Sequence, residues 1–149
     1  RRQSNPCTGA RLNMQPLAAY IATALVFGAL DAIWLTKVGP KLYRPEIGEL
    51  LMDGWRPAPA LIFYVLYILG IQIFAVQPAL AAGRWQVAAQ YGALFGFFCY
   101  MTYDLTNQAT MRVWSTKVTL MDIAWGTVAT GIAAGAAAWL VLALLPRGA

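Results

Sequence analysis

Two stretches decide how this chain reads: Tyr103-Asp104-Leu105-Thr106-Asn107, and Thr119-Leu120-Met121-Asp122-Ile123-Ala124-Trp125-Gly126. Each places a carboxylate at the mouth of a long apolar run, and a third, Asp31, sits the same way in the first apolar run. A charged side chain at the centre of a membrane helix costs about 2.5–3.5 kcal/mol on insertion scales, so such residues face a bundle interior or a cavity. The two stretches and Asp31 therefore point to a membrane protein built around a buried acidic site.

Composition supports the membrane class. Hydrophobic residues make up 60% of the 149-residue chain and charged residues 11%, where a soluble domain carries about 25% charged residues. The net charge of +5 comes from basic residues in loops and ends, which reads as topology and lipid-headgroup contact. No soluble element carries a basic face, so nucleic acid is not an expected partner. The chain has no histidine, which removes His-based general bases, Ser-His-Asp triads, haem-binding histidines and most zinc sites. Cys7 and Cys99 lie in a polar tail and an apolar run and have no metal-ligand spacing. Neither a metal nor a cofactor is expected.

Around the acidic residues the chain divides into an all-α, polytopic four-transmembrane-helix bundle. Residues 1–13 read as a disordered basic tail, with Met14 a candidate start directly before the first apolar run. The domain over 14–149 has spans at about 16–36, 57–77, 86–106 and 117–145, each long enough for a bilayer that needs ~20 residues. Pro16 suits a first helical turn. The first run is too long, and too rich in Asp31 and Trp34, for a cleaved signal peptide. Gly39-Pro40 and Arg44-Pro45 are expected to break any continuous helix after the first span. A short interfacial helix over 45–52 follows, with Tyr43 and Trp55 as interface anchors. Gly92 and Gly96 form a small-xxx-small pattern that permits close helix approach.

Four alternating spans put the end of span one, the start of span two, the end of span three and the start of span four on one membrane face. At 1.5 Å rise per residue, Asp31 and Asp122 lie roughly 7–8 Å inside that face, and Asp104 is shallower. Three carboxylates from three helices then share a layer. Trp34, Asn107 and Trp125 each follow an aspartate by three residues and share its helix face. Gly28 and Gly126 are expected to let helices close around the layer, and Tyr64 and Tyr67 to offer hydroxyls at similar depth. The candidate binding residues are Asp31, Trp34, Tyr64, Tyr67, Asp104, Asn107, Asp122 and Trp125. Taken singly, each aspartate is equally well explained as a structural acceptor, and Asp122 as an anion near a helix N-terminus. Arg112, Lys117 and Lys37 are within reach of the layer. The tryptophans read first as anchors and packing. Three carboxylates in one layer favour a pocket.

The strings Leu30-Asp31-Ala32-Ile33-Trp34, Tyr103-Asp104-Leu105-Thr106-Asn107 and Lys117 to Gly126, with Phe63-Tyr64-x-x-Tyr67, resemble the bacterial membrane-protein family catalogued as domain of unknown function 2177. The resemblance runs from Met14 to about Leu145 and implies a small four-span inner-membrane protein. It implies no activity.

Two functions of different class fit. One is binding and transport of a proton, a cation or a small polar substrate, because grouped carboxylates in low dielectric form the proton-relay arrangement of carriers. The other is a membrane enzyme acting on a lipid or isoprenoid substrate through acid/base aspartates or aspartates holding Mg²⁺, although no Asp-x-x-Asp or Asp-x-x-x-Asp pair lies on one helix. An accessory subunit of a membrane complex is a third. Expected partners are membrane lipids and, given the small size, further copies of the chain or a larger membrane complex. Multi-pass insertion in the cell inner membrane is expected.

Overall fold

A computed structural model describes residues 6–145, with side chains from Met14 onward. Every regular element in this range is helical. Helix α1 (Pro6–Ile33) continues through a π turn (Trp34–Val38) into α2 (Gly39–Ile47) and a short 3-10 turn (Gly48–Leu50). Helix α3 (Pro57–Ile71) likewise passes through a π turn (Gln72–Val76) into α4 (Gln77–Ala82). Helices α5 (Trp85–Thr110) and α6 (Thr116–Leu144) complete the chain. Of the expected tail over 1–13, residues 1–5 lie outside the described residues, and the helix is drawn from Pro6.

The expected break at Gly39-Pro40 does not occur: the chain remains helical through Ile47. Both π turns explain how. A proline lacks an N–H, and its ring clashes with the carbonyl four residues back. Pro40 and Pro78 each follow a π turn closely, and the wider π turn moves the obstructed carbonyls out of register without ending the helix. The expected interfacial helix over 45–52 is replaced by the end of α2 and the 3-10 turn. Gly83, at φ 68°, supplies the left-handed residue that closes α4 before α5.

Cross-helix contacts fix the arrangement. Gln15 Nε2 donates to the Leu145 carbonyl, Trp125 Nε1 reaches Asp31, and Ser115 Oγ donates to Glu46 Oε2 at 2.6 Å, so α1–α2 runs antiparallel to α6. Gln72 Nε2 donates to Thr23 Oγ1 at 2.8 Å and Tyr64 bonds to Asp31, so α3 is antiparallel to α1. Helices α5 and α6 make the most extensive contact in the molecule. A Cβ on Gly96 would stand 2.1 Å from the Gly126 carbonyl oxygen, and one on Gly92 2.7 Å from Ala134 Cβ. Only glycine admits this approach, as the small-xxx-small pattern predicts. Gly28 is different: nothing lies within 4 Å of its would-be Cβ, so it closes no helix pair.

Helix α6 is central, burying Ala129, Ala133, Ala134, Ala137 and Ala138 between its neighbours. The outer faces are apolar: Leu17, Ile21 and Leu25 on α1, Leu61, Ile62, Leu66 and Leu69 on α3, and Leu120, Val128, Ile132 and Trp139 on α6 are exposed. An apolar surface this extensive is at home in hydrocarbon, not water. Among the described residues, three helical stretches are long and apolar enough to cross a membrane: Met14–Leu50, Pro57–Ala82 and Thr116–Leu144. Helix α5, though 26 residues long, is diluted by Gln86, Gln90, Asp104, Asn107 and Gln108 and falls short on apolarity.

Candidate functional site

At the end of the bundle where α1 enters its π turn, α3 begins and α6 begins, the helices enclose an open cleft of about 850 Å³. Its walls hold Asp31 and Asp122 and a concentration of aromatic residues: Trp34, Trp55, Trp114 and Trp125 with Tyr43, Tyr64, Tyr100 and Tyr103. Apolar residues such as Ile47, Leu51, Ala60 and Phe63 fill the rest. A mainly apolar concavity with few convergent polar groups is the usual form of a ligand site.

Each carboxylate is held by a phenol. Tyr64 Oη donates to Asp31 Oδ2, and Trp125 Nε1 donates to Asp31 Oδ1 at 3.4 Å. Tyr43 Oη donates to Asp122 Oδ1 at 2.6 Å and accepts from Trp34 Nε1 at 2.8 Å. The indoles of Trp34 and Trp125 stack, centroids 4.5 Å apart and planes 9° from parallel. Trp125, on α6, thus serves the aspartate of α1, and the ring stacked on it comes from the π turn. The result is one connected assembly, running from Tyr64 through Asp31, Trp125, Trp34 and Tyr43 to Asp122. A carboxylate has about four acceptor sites, so these contacts leave both aspartates with acceptor capacity toward the cleft.

The candidate residues separate into two groups. Asp31, Trp34, Tyr64, Asp122 and Trp125 line the cleft together. Tyr67 lies one turn deeper, where its hydroxyl pairs with Thr130 Oγ1 at 2.8 Å, and it borders a smaller side pocket. Asp104 is fully buried and lines neither cavity; both of its carboxylate oxygens, and Asn107 Nδ2, lack a hydrogen-bond partner among the described residues. Asp104 remains within electrostatic reach of Asp122. It lies on the row of α5 residues (Gly92, Gly96, Tyr100, Asp104) whose upper members press on α6. Its side chain is buried within the bundle, on the helix row that faces α6. Lys117 does not reach the aspartates; its Nζ pairs with Glu46 Oε1 at 3.0 Å on the surface.

Tyr43 is the residue that sequence reasoning placed elsewhere. Expected as an interface anchor, it is instead the bridge between Trp34 and Asp122. It gets there because α2 continues α1 and carries Leu42 and Ile47 onto Val118 at the start of α6, in a second small core that includes Trp34. The available signal was the helical spacing from Trp34 through Val38 to Leu42, readable only once Pro40 is allowed inside a helix.

No curated protein and no solved structure matches the chain. A family match covers residues 16–139, a range that includes every member of the aspartate–aromatic assembly. By that match the chain belongs to the family described as predicted membrane protein, DUF2177.

Proposed function

We propose that this protein is a four-span inner-membrane protein that binds a small organic cation at Asp31 and Asp122 and carries it across the bilayer. In this reading α5 is the fourth span, made tolerable in lipid by its long contact with α6. The observation that carries the proposal is the pairing of two acidic side chains with a wall of indoles and phenols in one cleft. An ammonium group gains from both: Coulomb attraction to a carboxylate is strong where water is scarce, and each desolvated cation–π contact contributes about 2 kcal/mol. Anions are disfavoured by the same walls, and a neutral polar solute gains neither term.

The test is ligand titration of the purified full-length protein, followed by the fluorescence of the stacked tryptophans. Choline and its uncharged isostere 3,3-dimethyl-1-butanol have the same shape, so the charge alone separates them. Choline is expected to bind saturably and at least about tenfold more tightly than the isostere, which corresponds to 1.4 kcal/mol. Asp31→Asn combined with Asp122→Asn is expected to remove the difference. Equal binding of the two solutes, or a preference that survives both substitutions, refutes the cation site. Uptake of labelled choline into proteoliposomes then tests the transport step.

A further inference from the structure

We infer that the ligand is an amphiphile, a single-chain alkyl ammonium whose chain occupies the side pocket between α3 and α5 and which enters from the bilayer through the gap between those helices. The inference rests on Asp31 and Asp122 being the seat of a cationic head, as proposed above.

The side pocket has a volume of about 330 Å³ and is bounded by Phe63 and Tyr67 of α3, Cys99, Tyr100 and Tyr103 of α5, and Asp122 of α6. Phe63, Tyr100, Tyr103 and Asp122 also border the main cleft. The two spaces therefore share walls, and Asp122 stands where they meet. A head held by the carboxylates has its substituents directed either along the main cleft or into this pocket, and the pocket is the more apolar of the two routes, offering aromatic faces and one thiol besides Asp122.

The backbone arrangement opens this pocket sideways. Helix α5 packs closely on the second π turn and on α4, whereas α3 itself has only slight backbone contact with α5. The two helices are thus joined at their deep end and part toward the cleft. Across the deep end Tyr67 and Phe74 meet Phe95, with centroids 5.4 Å and 5.6 Å apart. One turn nearer the cleft Tyr67 also meets Tyr100, edge to face at 6.3 Å, and beyond that pair no ring contact joins Phe63 to Tyr103 among the described residues. Phe63 and Tyr103, one from each helix, flank the gap and are both exposed on the outer surface. An apolar chain can pass between these rings without leaving the hydrocarbon, while its head slides along the polar edge toward Asp122. A compact cation has no use for such an opening.

The experiment is a chain-length series of alkyltrimethylammonium ions, from methyl to decyl, titrated against the full-length protein in lipid nanodiscs. Free ligand is set by dialysis, and lipid partition is subtracted with empty nanodiscs. At about 0.8 kcal/mol per buried methylene, affinity is expected to rise about fourfold per carbon and then level off when the pocket is full. Cys99→Phe places a ring in the pocket and leaves the main cleft untouched. It is expected to flatten the rise while tetramethylammonium affinity stays as in the wild type. Phe63→Ala widens the same pocket and is expected to move the plateau to longer chains, which keeps the test in hand if Cys99→Phe fails to fold. A rise of equal slope in wild type and Cys99→Phe, or a plateau that Phe63→Ala leaves in place, overturns the tail pocket while the cation site stands. Absence of saturable tetramethylammonium binding to the wild type overturns the cation site itself, and the amphiphile with it.

Discussion

Replacing Gly96 with alanine tests the packing that holds the site in place. The added Cβ would lie 2.1 Å from the Gly126 carbonyl oxygen and 2.7 Å from Thr130 Oγ1. Both distances are far inside van der Waals contact, and the nearer neighbour is backbone, so no side-chain rotation relieves it. Helices α5 and α6 must separate. Overpacking of this kind costs about 1–3 kcal/mol, and the upper end applies where backbone is struck. Alanine returns about 1 kcal/mol of helix propensity over glycine, which leaves a net loss of about 2 kcal/mol. For a chain of this size that corresponds to a fall in Tm of roughly 4–8 °C. Gly28→Ala is the matched control, since its Cβ meets nothing within 4 Å. It gains the same propensity with no clash and is expected to raise Tm by roughly 2–4 °C. Thermal unfolding of both variants in one detergent, followed by circular dichroism, reads the difference directly. If Gly96→Ala is as stable as Gly28→Ala, then α5 and α6 are not in contact at Gly96, and the placement of Tyr100 and Asp104 on that row fails with it.

Tyr43→Phe removes the donor to Asp122 and the acceptor of Trp34 together. Leaving buried groups unpaired is expected to cost about 1–3 kcal/mol, with a change in tryptophan emission that a Tyr20→Phe control does not show. Asp104→Asn is expected to preserve expression and a single symmetric peak in size exclusion, because the buried carboxylate accepts no hydrogen bond that an amide would forfeit; an aggregated variant would show that Asp104 is essential to the fold as an acid. Topology follows from charge. The cleft side carries Lys37, Lys41, Arg44, Arg56, Arg112 and Lys117, and the other side Arg84 and Arg147 with Arg1, Arg2 and Arg11 of the tail; with the tail set aside the count is six to two, so the cleft side is expected to face the cytoplasm and a C-terminal reporter to be active outside it. A reporter active in the cytoplasm would reverse the orientation and, with it, the side from which the cleft is reached.

How much of this was legible in the chain depends on which coordinate is asked for. Depth along a helix follows from counting residues, because the rise is fixed. Counting was enough to put Asp31 and Asp122 at one end of the bundle, where both line the cleft. Rotation about the helix axis does not follow from hydropathy when every face is apolar. Asp104 is expected in the same layer; it is buried within electrostatic reach of Asp122 but lines neither cavity. The information was nevertheless present. Gly92, Gly96, Tyr100 and Asp104 fall on one i+4 row, and the two glycines already mark that row as the one pressed against a neighbour. A small-residue row therefore reports the direction a polar residue on it must face, and that direction separates an aspartate open to ligand from one sealed between helices. Tyr43 was lost for the opposite reason. Its position depends on the π turn just before Pro40, and a proline reads as a stop unless the helical period carries across it, as it does from Val38 to Leu42 here. The same device recurs at Pro78, where the helix runs on from α3 into α4. Both deviations from regular helix thus do structural service: one brings the phenol that holds Asp122, and the other keeps α3 and α5 joined at their deep end while they part beside the cleft.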